Sequence, residues 1–371
     1  MRRARHLLLI GGGHAQLAVL ADCIRHGLPC EQVTLLSPHP YLRYSGTVPG
    51  WIAGQYARDM GLVDLAGLAR AAGVTFIPAR ARAIDAGARE VTSDAGEPLS
   101  FDIASIDTGG VGQAARILGE DPRLIDVRPI ESFVDRLEAR LSGDQAAKRI
   151  AVIGGGAGGV ELAFALRNSA WLDRSAEIVV ITGNDGLLPG FSPAVVAKVG
   201  DELARQGLEC LSADARFENG QIVASGTPYD VDVVVAALGS GAPAWPGLGG
   251  LACDDQGFIA VDRHQRSVSH PHIFASADVA SRTDRQVTRS GVNAVHTGPV
   301  LAANLRAVMK GQEPRQSYTP RTAQLYLIST GRGEAIASYG RFAYQGRMAA
   351  KLKHAIDMRW LSSYAALAKP M

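Results

Sequence analysis

The sequence lacks the features that mark several large classes of protein. Four cysteines in 371 residues, at positions 23, 30, 210 and 253, fit neither a disulfide-stabilised scaffold nor the C-x-x-C spacing of a metal site. No apolar run approaches the length needed to cross a bilayer. The net charge is only +2 and no basic stripe with interleaved aromatics is present, which argues against nucleic acid as a partner. No third ligand stands near His270 and His272, so no metal site is predicted.

Glycine, with 42 copies, is the residue that the chain has in excess, and the copies cluster at turns. Two apolar runs each lead into a group of glycines: 7–10 into Gly11 and Gly13, and 150–153 into Gly154, Gly156 and Gly159. Each arrangement predicts the strand, tight turn and helix of a Rossmann unit, in which backbone approaches a pyrophosphate at the start of a helix. The second copy fits G-x-G-x-x-G in full, whereas Gln16 replaces the third glycine of the first.

Both glycine turns are followed by the other parts of a nucleotide-binding half. Ser37 and Thr182 end the second strands, at the position where a ribose-binding carboxylate is expected. Small-residue turns that contain Thr108, Gly109 and Gly239 follow later apolar strands. The fold class predicted from this recurrence is α/β with two Rossmann-like dinucleotide-binding domains. Since neither second strand ends in an acidic residue, the sequence does not separate NADH from NADPH.

The remaining segments predict a long helix, a hairpin and an amphipathic tail. The helix spans 291–309 and the hairpin pairs 326–329 with 335–338. In the tail, apolar residues recur at fourfold spacing at 348, 352, 356 and 360, with basic residues between them. We expect this face to dock on the protein core, and the alternatives are a dimer contact or a membrane surface. The irregular stretch 41–51 predicts a loop around a flat ring system or a surface loop held by its aromatics.

This order of motifs resembles the pyridine nucleotide-disulfide oxidoreductase superfamily, the flavoproteins with two dinucleotide-binding domains, over nearly the whole chain. It is similar in particular to the branch of type II NADH dehydrogenases and sulfide:quinone reductases, and to the oxidoreductases sometimes fused to selenide, water dikinase. The resemblance implies an FAD-binding domain at 1–115 and 250–310, an NAD(P)H-binding domain at 116–249, and a small C-terminal α+β segment at 311–371 with the hairpin and the amphipathic helix.

The resemblance also assigns candidate site residues. Those implied for FAD lie on the first turn, on strand ends and on the loop after the second strand, and they are Gly11, Gly13, His14, Ala15, Ser37, Tyr44, Ser45, Thr108, Gly109, Asp278 and Gly298. Those implied for NAD(P)H are Gly154, Gly156, Gly158, Gly159, Glu161, Thr182 and Gly239. Glu161 is the one candidate for a catalytic side chain, beside the nicotinamide, and its alternative role is that of an acid favoured by the helix dipole.

The cysteines lack the C-x-x-x-x-C and C-x-x-C spacings of disulfide reductases, which disfavours disulfide reduction. The implied activity is transfer of hydride from NAD(P)H to FAD and then of electrons to a small-molecule acceptor, a quinone first of all. Oxygen or an electron-transfer protein is the alternative acceptor, and a regulatory or assembly protein without turnover is the alternative function. The implied location is cytoplasmic, with peripheral contact at the inner face of the membrane through the C-terminal helix. The sequence gives no indication of oligomeric state.

Overall fold

The computed structural model describes residues 5–143, 147–321 and 323–368. Its strands are β1 (His6–Ile10), β2 (Gln32–Leu36), β3 (Tyr41–Arg43), β4 (Leu62–Asp64), β5 (Thr75–Ile77), β6 (Ala81–Asp85), β7 (Glu90–Ser93), β8 (Leu99–Ser100), β9 (Ile103–Ile106), β10 (Leu124–Asp126), β11 (Arg149–Ile153), β12 (Glu177–Ile181), β13 (Glu209–Leu211), β14 (Ala215–Glu218), β15 (Gln221–Ala224), β16 (Thr227–Tyr229), β17 (Val233–Ala236), β18 (Ile259–Val261), β19 (Ile273–Ala275), β20 (Ala280–Arg282), β21 (Leu325–Ser329), β22 (Ala335–Tyr339) and β23 (Phe342–Gly346).

The helices of the same residues are α1 (His14–His26), α2 (Val48–Ile52), α3 (Leu65–Ala71), α4 (Ala114–Leu118), α5 (Ile130–Leu141), α6 (Ala157–Arg167), α7 (Pro193–Arg205), α8 (Trp245–Leu248), α9 (Gly291–Met309) and α10 (Arg347–Leu367). Short 3₁₀ turns lie at Ser45–Thr47 and Ala277–Val279. No helix in the described ranges is long and apolar enough to cross a membrane.

Two five-stranded parallel sheets form the framework of the molecule. The first has the strand order β19-β9-β1-β2-β5 and the second has the order β10-β17-β11-β12-β13. Strands β1 and β11 lie at the centre of their sheets and are buried almost throughout, as expected for parallel strands covered on both faces. A glycine turn follows each central strand and leads into α1 or α6. The prediction of an α/β fold with two Rossmann-like units is confirmed.

The chain enters the first sheet twice, because β19 returns to it after the whole second sheet has been completed. This order places residue 278, just beyond β19, at the same edge as the first glycine turn, since the carboxyl ends of parallel strands share one edge. The predicted domain boundaries at 115/116, 249/250 and 310/311 stay predictions, although the strand order agrees with a discontinuous first unit.

The C-terminal segment differs from its prediction in two respects. The expected hairpin is a three-stranded antiparallel sheet, β21-β22-β23, because 342–346 adds a strand against β22. The prediction that the apolar face of the last helix docks on the core is wrong for three of the four residues that form this face. Met348, Leu352 and Ile356 are 64%, 45% and 43% exposed, and α10 packs instead through the adjacent face and through Trp360, which contacts the core beneath the first sheet.

The stretch 41–51, predicted as a loop, contains short regular elements. Strand β3 pairs with β4, a 3₁₀ turn follows, and α2 begins at Val48 with Pro49 in its first turn. Proline fits there because the first amides of a helix have no intrahelical acceptor. The segment is therefore held by a strand pair and by α2, not by its aromatics alone, and it carries Tyr44 to the edge of the first glycine turn.

Candidate functional site

The second glycine turn uses three of its five glycines for close packing and leaves two facing open space. A Cβ added at Gly154, whose φ is +129°, would stand 2.3 Å from the carbonyl oxygen of Ala237, and one at Gly159 would stand 2.1 Å from the carbonyl oxygen of Gly154. Gly156 and Gly158 have no atom within 4 Å of such a Cβ. The turn therefore has a fixed backbone and an open surface at the start of α6, where a dinucleotide pyrophosphate can approach.

The other residues predicted for NAD(P)H lie around this turn. Gly239 follows β17 with a φ of +79° and open space in front of it. The Thr182 hydroxyl donates to the carbonyl of Leu211, so its hydrogen already has an acceptor within the protein. The structure thus keeps Thr182 at the end of β12, where the sequence predicts it, but with its hydroxyl turned toward the neighbouring strand.

The first glycine turn is organised around a buried carboxylate. Gly11 has a φ of +93°, and a Cβ there would stand 2.4 Å from the carbonyl oxygen of Asp107. A Cβ on Gly13 would stand 2.3 Å from the carboxylate of the same residue. Oδ2 of Asp107 accepts from the amides of Ala15, at 2.8 Å, and Gln16, at 3.1 Å. Burial raises the pKa of Asp107 to about 7, against the effect of these two bonds, and the charge of Asp278 adds to the shift.

The departure at Gln16 has a structural explanation. Its side chain is fully buried and donates from Nε2 to the carbonyl oxygen of Ser105, at 2.8 Å, and to the Ser105 hydroxyl, at 3.1 Å. This side-chain hydrogen bond holds helix α1 against β9. In the second unit the same close packing is achieved by direct contact of Gly159 with Gly154. The first turn is therefore a sound variant of the motif, and its helix begins in the expected place.

Asp278 joins the two units at the edge of the first sheet. Its carboxylate accepts one hydrogen bond from Nη2 of Arg128 at 2.6 Å and another from the hydroxyl of Ser240 at 3.1 Å. Both partners follow strands of the second sheet, β10 and β17, and Arg128 lies 150 residues away from Asp278. Neither partner is among the site residues predicted from the sequence, and no local pattern at Arg128 indicates the contact.

An aromatic cluster lies beside the first turn. The rings of Tyr44 and Trp360 stack with centroids 4.6 Å apart, and the ring of His14 lies 5.4 Å from Trp360. Burial lowers the pKa of His14 to about 4, so the imidazole is neutral near neutral pH. Neither His14 Nε2 nor Trp360 Nε1 has a hydrogen-bond partner within the described part of the chain, although both atoms are buried. Two neighbouring buried polar atoms without hydrogen-bond partners indicate a site for a ligand or for water.

A buried charged cluster connects α10 to both units. Lys353 donates to Oδ2 of Asp357 at 2.9 Å and to the carbonyl of Gly46 at 3.0 Å, while the Tyr44 hydroxyl donates to Oδ1 of Asp357 at 3.0 Å. Glu161 of α6 accepts from the amide of Ser329 at 2.8 Å. Sequence reasoning missed Lys353 and Asp357, whose spacing of four residues on one helix was the available signal.

The pKa shifts in this cluster follow from burial and from its charges. Burial raises the pKa of Glu161 and that of Tyr44, and the charge of Asp357 acts in the same direction on both. Burial alone would lower the pKa of Lys353, but the charges of Glu161 and Asp357 outweigh it and hold the pKa above its usual range. The cluster therefore combines a stabilised ammonium group with a carboxyl group whose pKa is raised.

The remaining predicted FAD residues are placed as follows. Ser37 is buried against Gly12, whose added Cβ would stand 2.9 Å from its hydroxyl oxygen, whereas Ser45 and Thr108 lie at the solvent-accessible surface and Gly109 is half-buried. Gly298 lies away from that surface, in the contact of α9 with α1, where an added Cβ would stand 2.8 Å from Cβ of Ala18. Its small size serves close helix packing, which a sequence motif does not distinguish from ligand contact.

All four cysteines are free, and burial raises the pKa of every one of them. Cys23, with a pKa of about 12, is buried in α1. A thiolate is the form that attacks a disulfide, and these environments disfavour it. The geometry thus agrees with the sequence in offering no dithiol chemistry.

These observations can be compared with what two dinucleotides require. The second turn presents an open cradle at Gly156 and Gly158, as a pyrophosphate needs. The first turn presents a positive-φ glycine, the free ring nitrogen of His14 and the guanidinium of Arg128 near Gly109. The residues present fit FAD at the first turn and a nicotinamide dinucleotide at the second.

Comparison with known proteins agrees with this geometry. A family model described as pyridine nucleotide-disulphide oxidoreductase matches residues 5–298. Ferroptosis suppressor protein 1 of Taeniopygia guttata is 24% identical over 314 residues, which cover 81% of this chain and 80% of that protein. The solved structure of NDH2 from Plasmodium falciparum in complex with NADH has a TM-score of 0.81 at 14% identity and covers 97% of this chain and 95% of that chain. The sulfide:quinone oxidoreductase of Aquifex aeolicus has a TM-score of 0.79 at 19% identity, with 98% and 92% covered.

The family match extends over far more than half of the chain. Proteins of this family are FAD-dependent NAD(P)H oxidoreductases, which confirms the predicted enzyme class and the two predicted cofactors. The chain belongs to the pyridine nucleotide-disulphide oxidoreductase family.

Proposed function

We propose that the protein transfers electrons from NAD(P)H through FAD to a quinone, without a redox-active disulfide. The observation that carries the proposal is the largely buried cluster in which Tyr44 and Lys353 bind Asp357 and the charge of Glu161 acts on Lys353. This cluster brings together the first unit, α6 and α10. A quinone takes up two electrons and two protons, and groups of this kind hold and donate protons. A disulfide acceptor would need a reactive cysteine on the protein, and all four thiols have raised pKa values.

FAD is assigned to the first turn and NAD(P)H to the second. Gly11, Gly13 and the start of α1 hold the FAD pyrophosphate in this assignment, and Asp278 binds the ribityl chain, with Arg128 compensating the negative charge. Gly154, Gly156 and Gly159 hold the second dinucleotide in the same way, with Glu161 facing its nicotinamide. The boundaries at 115/116 and 249/250 then separate an FAD-binding domain from an NAD(P)H-binding domain.

Bound FAD would supply the redox chemistry, as the group that takes hydride from NAD(P)H and gives two electrons to the acceptor. The residues of the chain orient the reactants and manage protons. Lys353, paired with Asp357, stabilises negative charge on the acceptor side. Burial raises the pKa of Glu161, which suits its carboxyl group to exchange a proton with the acceptor as the electrons arrive.

The proposal is tested by the choice of acceptor. The FAD-loaded protein is reduced anaerobically with NADH or NADPH and mixed with a short-chain ubiquinone analogue, with oxygen or with cytochrome c. We expect the quinone to reoxidise the flavin at least about tenfold faster than the other two, because the proposal places a bound quinone beside the proton-holding cluster, whereas it provides no binding site for oxygen and cytochrome c accepts single electrons without protons. Equal rates for oxygen and quinone would favour an oxidase, and no reoxidation by any acceptor would favour a regulatory or assembly protein.

We further propose peripheral attachment at the inner face of the membrane through α10, with the rest of the protein in the cytoplasm. The exposed residues Met348, Leu352 and Ile356 form an apolar stripe, and Phe342, 80% exposed, lies on the neighbouring strand β23. Arg347, Lys351 and Arg359 lie on the same helix. An apolar stripe with basic neighbours suits the surface of an anionic bilayer.

Replacing Met348, Leu352 and Ile356 together by serine is expected to weaken binding to anionic vesicles at least about tenfold, since the lost apolar burial is worth several kcal/mol. Cosedimentation with vesicles of phosphatidylglycerol and phosphatidylcholine measures the effect. The fold provides the control, because these side chains already face solvent and the thermal unfolding temperature should stay the same. Unchanged cosedimentation of the triple variant would refute the proposed attachment.

A further inference from the structure

The two glycine turns can be compared position by position, because strand pairing aligns them. Ile10 pairs with Ile106 in the first sheet, and Ile153 pairs with Ala236 in the second. The next residues, Asp107 and Ala237, are therefore equivalent. Both place a carbonyl oxygen against the first glycine of their turn. Their side chains differ in kind, since the second unit has a methyl group where the first has a carboxylate.

Asp107 engages the amides at the start of α1. Its backbone oxygen accepts from Gly13 at 3.1 Å, and its Oδ2 accepts from Ala15 and Gln16 at 2.8 and 3.1 Å. A carboxylate is thus already present at the helix N-terminus that is assigned to the FAD pyrophosphate. Two anions at one helix start repel each other, whereas a protonated Asp107 would leave the positive end of the helix to the pyrophosphate.

The other charged groups around Asp107 do not remove this conflict. Asp278 acts on it as a like charge, and its own carboxylate is paired with Arg128. The imidazole of His14, on the first residue of α1, is neutral above about pH 5, because its pKa is about 4. The only favourable contacts of the Asp107 carboxylate among the described residues are therefore the two backbone amides.

We propose that Asp107 is a proton-linked determinant of FAD affinity, such that FAD binding at the first glycine turn is accompanied by uptake of a proton on this carboxylate. The inference rests on the proposed function in one respect, the assignment of FAD to the first turn. It gives a role to a residue that packs against the glycine turn without being part of it. It also distinguishes the FAD site from the NAD(P)H site, where the equivalent residue, Ala237, has no titratable group.

The direction of the pH effect follows from linkage. The pKa of Asp107 without FAD is about 7, and a bound pyrophosphate raises it further because it adds negative charge nearby. Below pH 7 Asp107 is protonated in both states, so affinity is constant. Above pH 7 binding requires proton uptake, and Kd rises up to about tenfold per pH unit until the pKa of the bound state is passed.

The test uses the FAD-loaded protein. It is diluted serially between about pH 6 and about pH 9, and released FAD is measured by its fluorescence to give Kd at each pH. We expect the Kd of the unchanged protein to be flat at the acidic end and to rise above about pH 7. A second measurement, proton uptake on rebinding of FAD in weakly buffered solution, requires no variant.

Asp107→Asn removes the titrating group and keeps one oxygen for both amide bonds, since both go to the same Oδ2. Its Kd is expected to be independent of pH and below that of the unchanged protein at about pH 8.5. Asp102→Asn is the matched control, because Asp102 also accepts from two backbone amides but lies at the other end of β9, away from the turn. That variant should retain the slope of the unchanged protein.

A flat Kd in the unchanged protein, or a slope that persists in Asp107→Asn, would overturn the inference while leaving FAD binding at the first turn intact. A slope lost equally in Asp102→Asn would overturn it as well, since it would reflect general destabilisation. A protein that takes up no FAD at any pH would overturn the proposed function itself, which this design separates from failure of the proton link.

Discussion

Replacing Gly156 by valine is expected to leave the fold intact and to weaken NAD(P)H binding at least about a hundredfold, or about 3 kcal/mol. The residue has extended backbone, with φ −71° and ψ 169°, which a β-branched side chain adopts easily. No protein atom lies within 4 Å of a Cβ added to this residue, so the side chain that carries the new methyl groups starts in open space. They would fill the place assigned to the pyrophosphate and screen the start of α6. Anaerobic titration of the flavin with NADH and NADPH measures the loss.

Substitutions at two further glycines serve as controls for this prediction. Gly200→Val, on α7, also meets no atom within 4 Å and should leave binding unchanged. Gly159→Val should instead unfold or strongly destabilise the second unit, because its Cβ would stand 2.1 Å from a backbone oxygen. If Gly156→Val binds NAD(P)H as the unchanged protein does, the second turn is not the nucleotide site and the assignment fails.

Lys353→Met is expected to lower the free energy of unfolding by about 3–5 kcal/mol. The substitution leaves Asp357, whose side chain is 5% exposed, without its cation. Removing one member of a buried pair is costly, whereas removing both is tolerated, so adding Asp357→Leu should restore much of the loss. Urea unfolding followed by circular dichroism and tryptophan fluorescence measures each variant.

Lys351→Met provides the control for Lys353→Met, because Lys351 lies on the same helix and is exposed. It should change stability by less than about 0.5 kcal/mol. The double variant also separates packing from chemistry. If Lys353 serves the reaction as proposed, the double variant regains stability but still reduces quinone slowly. Equal stability of Lys353→Met and Lys351→Met would contradict the described burial of the cluster.

The sequence predicts the parts of this molecule that depend on local chemistry. Glycine is required at Gly154 and Gly159 because an added Cβ would stand little more than 2 Å from a backbone oxygen, so their spacing predicts the turn directly. The return of β19 to the first sheet was predictable by resemblance, and the strand pairs confirm it. Helix α9 spans the predicted residues because its apolar periodicity and its Ser290 cap are both local signals.

What the sequence does not reveal are contacts between distant segments. Arg128 follows a strand of the second sheet and Asp278 follows a strand of the first, so only the tertiary fold brings them into contact. Nothing near either residue in the sequence indicates the other. Gly298 shows the reverse error, since a packing glycine resembles a ligand-binding glycine when only its motif is seen. In α10 the apolar stripe predicted a buried face, but the buried face contains Lys353 and Asp357, whose partners on Tyr44 and Gly46 lie more than 300 residues away.

The most direct test of the account is an anaerobic titration of the FAD-loaded protein with NADH and with NADPH, followed by its absorbance spectrum. We expect a yellow protein whose oxidised-flavin absorbance is bleached by one equivalent of at least one of the two nucleotides, with the colour restored on addition of a quinone. A colourless protein that takes up no FAD, or a bound flavin that both nucleotides leave oxidised, would contradict it.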